Sequence, residues 1–304
     1  MDFHDRSARL AVVLSGGGPI AWMFHLGVLQ GLADVGIDSS GIELMIGTSA
    51  GSAVAAATRA GAGRAEIAAA LLEPPSEEAR RELTVAIGEV RNDVWERVRP
   101  LSPRLVFEVL PGGSGFGLAA CGLLPAGLVP TSTLSLLPRV DEFDEWPDGL
   151  WIPAVDSRTG EVVVFGRDRF DVSVPEALEA SSAVPAMFRP KHIDGVDFVD
   201  GAAASSTHAG LAADIEPDLV VVSSVQTRPG IRPIRIAARR RLNAELVSLS
   251  LRNVPYLVIG LDREANERAA GFGYRSKKGS EAIIADGRRL TRSAFAEQQP
   301  KTAS

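Results

Sequence analysis

Leu10-Ala-Val-Val-Leu14, followed by Ser15-Gly-Gly-Gly-Pro19 and then an apolar segment from Ala21 to Val35, is the stretch from which the fold is read. The first five residues are a short apolar run rich in β-branched side chains, as in a strand buried on both faces. Three glycines stop it. Trp22, Leu26, Leu29 and Leu32 then recur at helical spacing. Pro19 suits a first helical turn, where its missing N–H is not needed, and Gly36 suits a stop. The unit is strand, glycine turn, helix. A second follows at once: Ile42 to Ile46 as strand, Gly47-Thr-Ser-Ala-Gly51 as tight turn, Ser52 to Ala60 as an alanine-rich helix ending at Gly61. Strands alternating with helices predict an α/β fold with a mainly parallel central sheet between helical layers.

Further along, Trp151–Val155 and Glu161–Phe165 read as paired strands around a turn-rich link. A helix opening with Pro175 is expected over Val174–Ala183, a short strand over Val196–Val199 ending in Asp200-Gly201, and another strand over Asp218–Ser224. Pro74–Pro103 reads as charged and helical. Pro111–Pro138 is apolar, rich in glycine and punctuated by proline, which argues against a single regular element. After Arg228 the chain reads as helical and basic. Apolar periodicity fades from about Ser276, and a mobile end is expected. The division is a catalytic domain over 1–260, with 111–138 as a candidate cap or acyl-binding insertion, and a basic helical extension over 261–304.

Composition narrows the function classes. The chain has 304 residues, 45% hydrophobic and 23% charged, with a single cysteine, Cys121. That excludes an intrachain disulfide or a cysteine metal cluster and fits a reducing, cytoplasmic setting. Met1–Arg9 is polar and is not expected to be a secretory signal. No uninterrupted apolar run approaches ~18 residues, so no transmembrane helix is expected. Net charge is −6, but residues 228–304 hold 16 Lys+Arg against 7 Asp+Glu. Most of this reads as solvated helix surface; the rest is a candidate contact for anionic lipid or an acidic acyl carrier. Without interleaved aromatics, nucleic acid is not an expected partner.

The sharpest chemical signal is Gly47-Thr48-Ser49-Ala50-Gly51, the G-x-S-x-G strand-to-helix elbow that exposes a nucleophilic serine. So tight a turn demands small neighbours, and the N-terminus of the next helix favours developing negative charge. A serine hydroxyl needs a base. Of four histidines, His4, His25, His192 and His208, none follows the usual Ser, Asp, His order clearly; His208 comes closest. Asp200 is a second candidate, placed at a strand end before Gly201-Ala-Ala, though Asp-Gly is also an ordinary turn. Gly16, Gly17 and Gly18 offer side-chain-free amides for an oxyanion, or a pyrophosphate cradle. The latter rests on a G-x-G-x-x-A match with Asp38 downstream.

Four blocks in order resemble the patatin-like phospholipases: Ser15-Gly-Gly-Gly-Pro19 with Gly27-Val-Leu29; Gly47-Thr-Ser-Ala-Gly51; Ala180-Ser-Ser-Ala-Val-Pro185 with Phe188 and Pro190; and Val199-Asp-Gly-Ala202. The segment Trp151–Phe165 resembles that family's middle hairpin. The resemblance implies a three-layer α/β/α sandwich, hydrolysis of acyl esters in lipids and no cofactor or metal. It also implies a Ser–Asp dyad: Ser49 as nucleophile, Asp200 as general base, and the amides of Gly16, Gly17, Gly18 and Ala50 as oxyanion hole. Ile20 and Ala21 stand where the family usually has Arg or Lys and then Gly, which points to a weakly charged or neutral acyl substrate. Phe116, Leu118, Leu123 and Leu124 are candidate acyl-chain contacts; Trp22, Met23 and Phe24 read more simply as core. Two other functions fit the same residues: acyl transfer or thioester hydrolysis on carrier-bound chains, and a non-catalytic lipid- or dinucleotide-binding module.

Overall fold

The computed structural model describes residues 8–72, 127, 129, 131, 137–226, 233–270 and 276–298. The helical expectation for 74–103, most of the candidate cap with its four contact residues, Cys121 and the chain end lie outside them.

Leu10–Leu14 forms β1, and Gly18–Asp34 forms α1. Pro19 sits in the first turn of α1. The helix ends in a Schellman motif: Gly36 takes a left-handed φ of 86°, and the Ile37 and Gly36 amides donate to the carbonyls of Leu32 and Ala33 at 2.9 and 3.0 Å. β2 (Leu44–Gly47), α2 (Ala50–Arg59) and α3 (Arg64–Leu72) follow. β3 (Leu150–Asp156) pairs antiparallel with β4 (Val162–Phe165), as the paired-strand reading requires. A capping box between Ser173 and Glu176 opens α4, Val174–Ser181. Then come β5 (Lys191–Ile193), β6 (Val196–Asp200) and β7 (Leu219–Ser224). The order is completed by α5 (Pro233–Leu251), β8 (Tyr256–Gly260), α6 (Arg263–Ala270) and α7 (Lys277–Gln298).

The strands form one sheet in the order β5-β6-β3-β2-β1-β7-β8. The β3-β2-β1-β7-β8 part is parallel; β4, β5 and β6 add antiparallel pairs. Side chains alternate between two cores. Leu10, Val12 and Leu14 enter the layer shared with α1, α2 and α7. Ala11 and Val13 enter the layer shared with α5. The result is the mixed α/β sandwich with helices on both faces of the sheet.

Two departures concern the C-terminal third. The strand β8 was not foreseen in a region read as helical; its run Tyr256-Leu-Val-Ile259 completes the parallel ladder beside β7, in register Val220↔Tyr256 to Ser224↔Gly260. The periodicity expected to fade after Ser276 is present in α7, carried partly by small residues. Ile283, Gly287, Thr291 and Phe295 are buried at every fourth position. This face lies against α1 with backbones nearly touching: a Cβ on Gly287 would fall 2.4 Å from the Phe24 carbonyl oxygen, and one on Gly27 2.0 Å from that of Ile284. Arg288 and Asp34 close the contact with hydrogen bonds of 2.6 and 2.7 Å. No helix among the described residues is long and apolar enough to cross a membrane.

Gly287→Val is expected to cost ~1–3 kcal/mol or more in denaturant unfolding, because the added side chain must force α7 away from α1. Gly63→Ala, at a site with nothing within 4 Å of the added carbon, is expected to be near neutral by the same measurement.

Candidate active site

Three loops that follow strand ends converge here. Ser49 links β2 to α2 with φ 52° and ψ −121°, a conformation an L-residue enters only at a cost of ~1–3 kcal/mol. Its neighbours explain how the turn is held. A Cβ on Gly47 would lie 2.4 Å from Ser52 Cα, and one on Gly51 2.1 Å from the Leu14 carbonyl oxygen. Any larger residue at either position would open the bend. The Ser49 amide donates to Ser181 Oγ at 3.0 Å, and the Ser181 hydroxyl donates to the Pro153 carbonyl at 2.7 Å. Thus β3 and α4 both grip the elbow.

Asp200 ends β6, 2% exposed. Gly201 lets this end approach, since a Cβ there would meet the Pro153 oxygen at 2.5 Å and Thr48 Cγ2 at 3.2 Å. The Ala202 amide donates to Asp200 Oδ1 at 2.7 Å, and the Ser49 side chain is an electrostatic neighbour of the same carboxylate. Burial lifts the Asp200 carboxyl from its ordinary value to about 7; the Ala202 amide and then the Ser49 side chain favour the ionised form and pull the other way. No cation among the described residues takes part in that balance. The structure therefore brings Ser49 and Asp200 together although 151 positions separate them in the chain.

The glycine loop meets both. A Cβ on Gly16 would lie 3.3 Å from Ser49 Cβ and 3.5 Å from Ala202 Cβ. Gly17, with φ 151°, and Gly18, with φ 64°, take conformations that favour glycine. One expectation is corrected: the Gly16 amide already donates to the Ser206 carbonyl at 2.8 Å, so it is not free for an oxyanion. Gly17 and Gly18, at the start of α1, and Ala50, the first residue of α2, have amides that meet no acceptor among the described residues.

His208, the histidine that comes closest to the Ser, Asp, His order, is buried. It is 5% exposed, with φ 53°, and its Nδ1 lies 3.1 Å from Thr48 Oγ1. Burial first, and Arg241 second, push its pKa down to about 3. It supports the residue before Ser49 and has no bond to Ser49 or Asp200 among the described residues. Met23 and Phe24 are core, and Trp22 packs against it. Asp38 precedes β2, at the N-terminal end of the parallel strands and opposite the glycine loop, so the fingerprint arrangement for a dinucleotide is not formed. Sequence reading missed Ser181 and His25. Ser181 stood inside a quoted block; His25 gave no signal beyond being a histidine on an apolar helix.

The family model for patatin-like phospholipases matches residues 12–213. Among solved structures, the chain is similar to the type III effector protein ExoU, at 14% identity with TM-score 0.45, over 97% of this chain and 54% of that one. It is also similar to VipD from Legionella pneumophila, at 15% identity with TM-score 0.44, over 94% of this chain and 67% of that one. The chain thus spans about half the length of the first of these.

Raising a buried carboxyl from 3.8 to about 7 means the folded state holds the proton more tightly than the unfolded state. That stability is complete at pH below the unfolded value and is lost as pH rises towards 7. Asp200→Asn, which mimics the protonated acid, is expected to be more stable than wild type above pH ~8 by up to about 4 kcal/mol, with the gap closing towards pH ~4. Denaturant midpoints across that range measure it.

Proposed function

We propose a serine acyl-ester hydrolase, on one premise: the chain belongs to the patatin-like phospholipase family. Lipid is the proposed substrate class, Ser49 the nucleophile and Asp200 the general base. The observation that carries this reading is a carboxylate buried with no cation beside it among the described residues, set against a serine on a strained elbow and raised to about 7. A base of that affinity is half ionised near neutral pH, where it can take a proton and give it back.

The steps follow from the geometry. Asp200 accepts the Ser49 hydroxyl proton as Oγ attacks an acyl carbonyl. The amides of Gly17, Gly18 and Ala50 receive the oxyanion of the tetrahedral intermediate. Collapse breaks the ester bond, and the leaving alcohol takes the proton from Asp200. Water then loses a proton to Asp200, attacks the acyl-enzyme, and a second tetrahedral collapse frees the acid and Ser49. One amide donor of this kind is worth ~3 kcal/mol of barrier, or ~100-fold in rate. Ile20 packs against the core where a cation would otherwise stand, which favours neutral or weakly charged acyl esters.

Acyl-carrier thioesters are the second reading, since the same steps cleave a thioester. What favours it is the basic C-terminal part, with Arg239 and Arg240 of α5 exposed and in no ion pair among the described residues. An acidic carrier or an anionic lipid surface would suit that face.

Ser49→Ala and Asp200→Asn are each expected to lower turnover of a p-nitrophenyl acyl ester by about 1,000-fold or more while the circular dichroism stays native. Full activity in either variant would remove the dyad. The wild-type kcat/KM is expected to fall as pH drops through about 7 and to level off above it. A profile flat from pH ~5 to ~9 contradicts Asp200 as base.

A further inference from the structure

The backbone entering the glycine loop is fixed by groups the acyl-transfer steps do not use. His25, on α1, is fully buried, and both ring nitrogens are engaged. Nε2 lies 2.7 Å from the Ser15 carbonyl oxygen. A carbonyl only accepts, so Nε2 carries the hydrogen. Nδ1 is then a lone pair, accepting from the Ser223 hydroxyl at 2.7 Å. Burial depresses the pKa to about 4, so the ring is neutral and this tautomer is set.

The same peptide unit is held from its other side. Its N–H, that of Gly16, donates to the Ser206 carbonyl at 2.8 Å. The next carbonyl, that of Gly16, accepts from the Ser15 hydroxyl at 3.0 Å. Two successive peptide planes are thereby fixed: the second carries the Gly17 amide and stands directly before that of Gly18. Ser206 is in turn part of a loop that Glu245 of α5 secures, accepting from Thr207 Oγ1 at 2.6 Å and from the Ala209 amide at 2.8 Å.

Three glycines in a row give the chain maximal backbone freedom. An oxyanion hole works only if its donors need no reorganisation when charge develops. Both carbonyls ahead of the free amides must therefore be tied, and one of the ties is the imidazole. We propose that His25 is a positioning residue for the oxyanion loop: through Ser15 it sets the direction of the Gly17 and Gly18 amides, and it acts on the rate of acyl transfer and not on substrate affinity. This rests on the reading of Ser49 as nucleophile. No proton moves through the ring, which is held on both nitrogens away from Ser49.

The test uses the full chain with His25→Leu, His25→Gln, Ser223→Ala and Ser49→Ala. A p-nitrophenyl acyl ester gives kcat and KM. A trifluoromethyl ketone, which forms a tetrahedral oxyanion on the nucleophile, gives an inhibition constant. His25→Leu is expected to lower kcat about 100-fold with KM within about threefold, and to weaken the ketone by a similar factor. His25→Gln, whose amide can donate to Ser15 and accept from Ser223, is expected to recover to within about tenfold of wild type. Ser223→Ala, which frees one side of the ring, is expected to lower kcat about tenfold and stands in if His25→Leu does not fold. The clamp is overturned if His25→Leu or, where that variant is unfolded, Ser223→Ala retains wild-type kcat. It is also overturned if the loss appears in KM, or if ketone affinity stays unchanged while kcat falls. Activity retained in Ser49→Ala sinks the nucleophile reading and the clamp with it; an inert Ser49→Ala beside a fully active, folded His25→Leu sinks the clamp alone.

Discussion

Asp200 is a carboxylate at a strand end, taken out of water with no positive charge beside it among the described residues. An isolated buried charge is costly, and the ordinary relief would be an arginine or lysine. Here relief comes from one amide, the neighbouring Ser49 side chain and the option of holding a proton. A salt bridge would be more stable and would also pull the pKa far below neutrality, leaving a poor base. The site accordingly gives up stability in a way that the proposed reactivity would require.

The same preference for neutral groups runs through the neighbourhood. His25 and His208 are both buried and both held uncharged, with values pushed down to about 4 and about 3. Neither is placed to relay a proton from Ser49. One ties the glycine loop to β1 and β7, the other braces Thr48 against the loop after β6. Small residues do the rest. Gly16, Gly47, Gly51 and Gly201 each stand where an added carbon would meet another segment's backbone or the Ser49 side chain, so strand ends can approach as closely as the proposed chemistry requires.

Much of the fold was legible. The two strand–turn–helix units at the start carry period and punctuation strong enough to place β1, α1, β2 and α2 within a few residues. The hairpin and α4 carried turn and capping signals of their own. What was missed shares a cause. β8 is five residues; Asn253, with φ 57°, and Pro255 mark a break before it, but the run becomes a strand because β7 presents an open parallel edge. The buried face of α7 is written in glycine and threonine as well as isoleucine, residues that hydrophobic periodicity does not count.

Within the site, Ser49 was readable because a strained elbow needs small residues at fixed offsets, which is a local pattern. Asp200 carried only an Asp-Gly turn signal, and the family resemblance supplied its role. Its burial, its raised pKa and its meeting with Ser49 are properties of packing between segments far apart in the chain. The sequence by itself determined which bonds the backbone could bend around: where glycine permits a turn, where alternation fills two cores, where a helix begins. Only the tertiary structure decided which polar groups lose water together, and so that the Gly16 amide is spent on Ser206 while a histidine in the middle of an apolar helix holds the loop in front of it. Turn chemistry is set by neighbours in the chain; desolvation and hydrogen-bond partnership are set by neighbours in space.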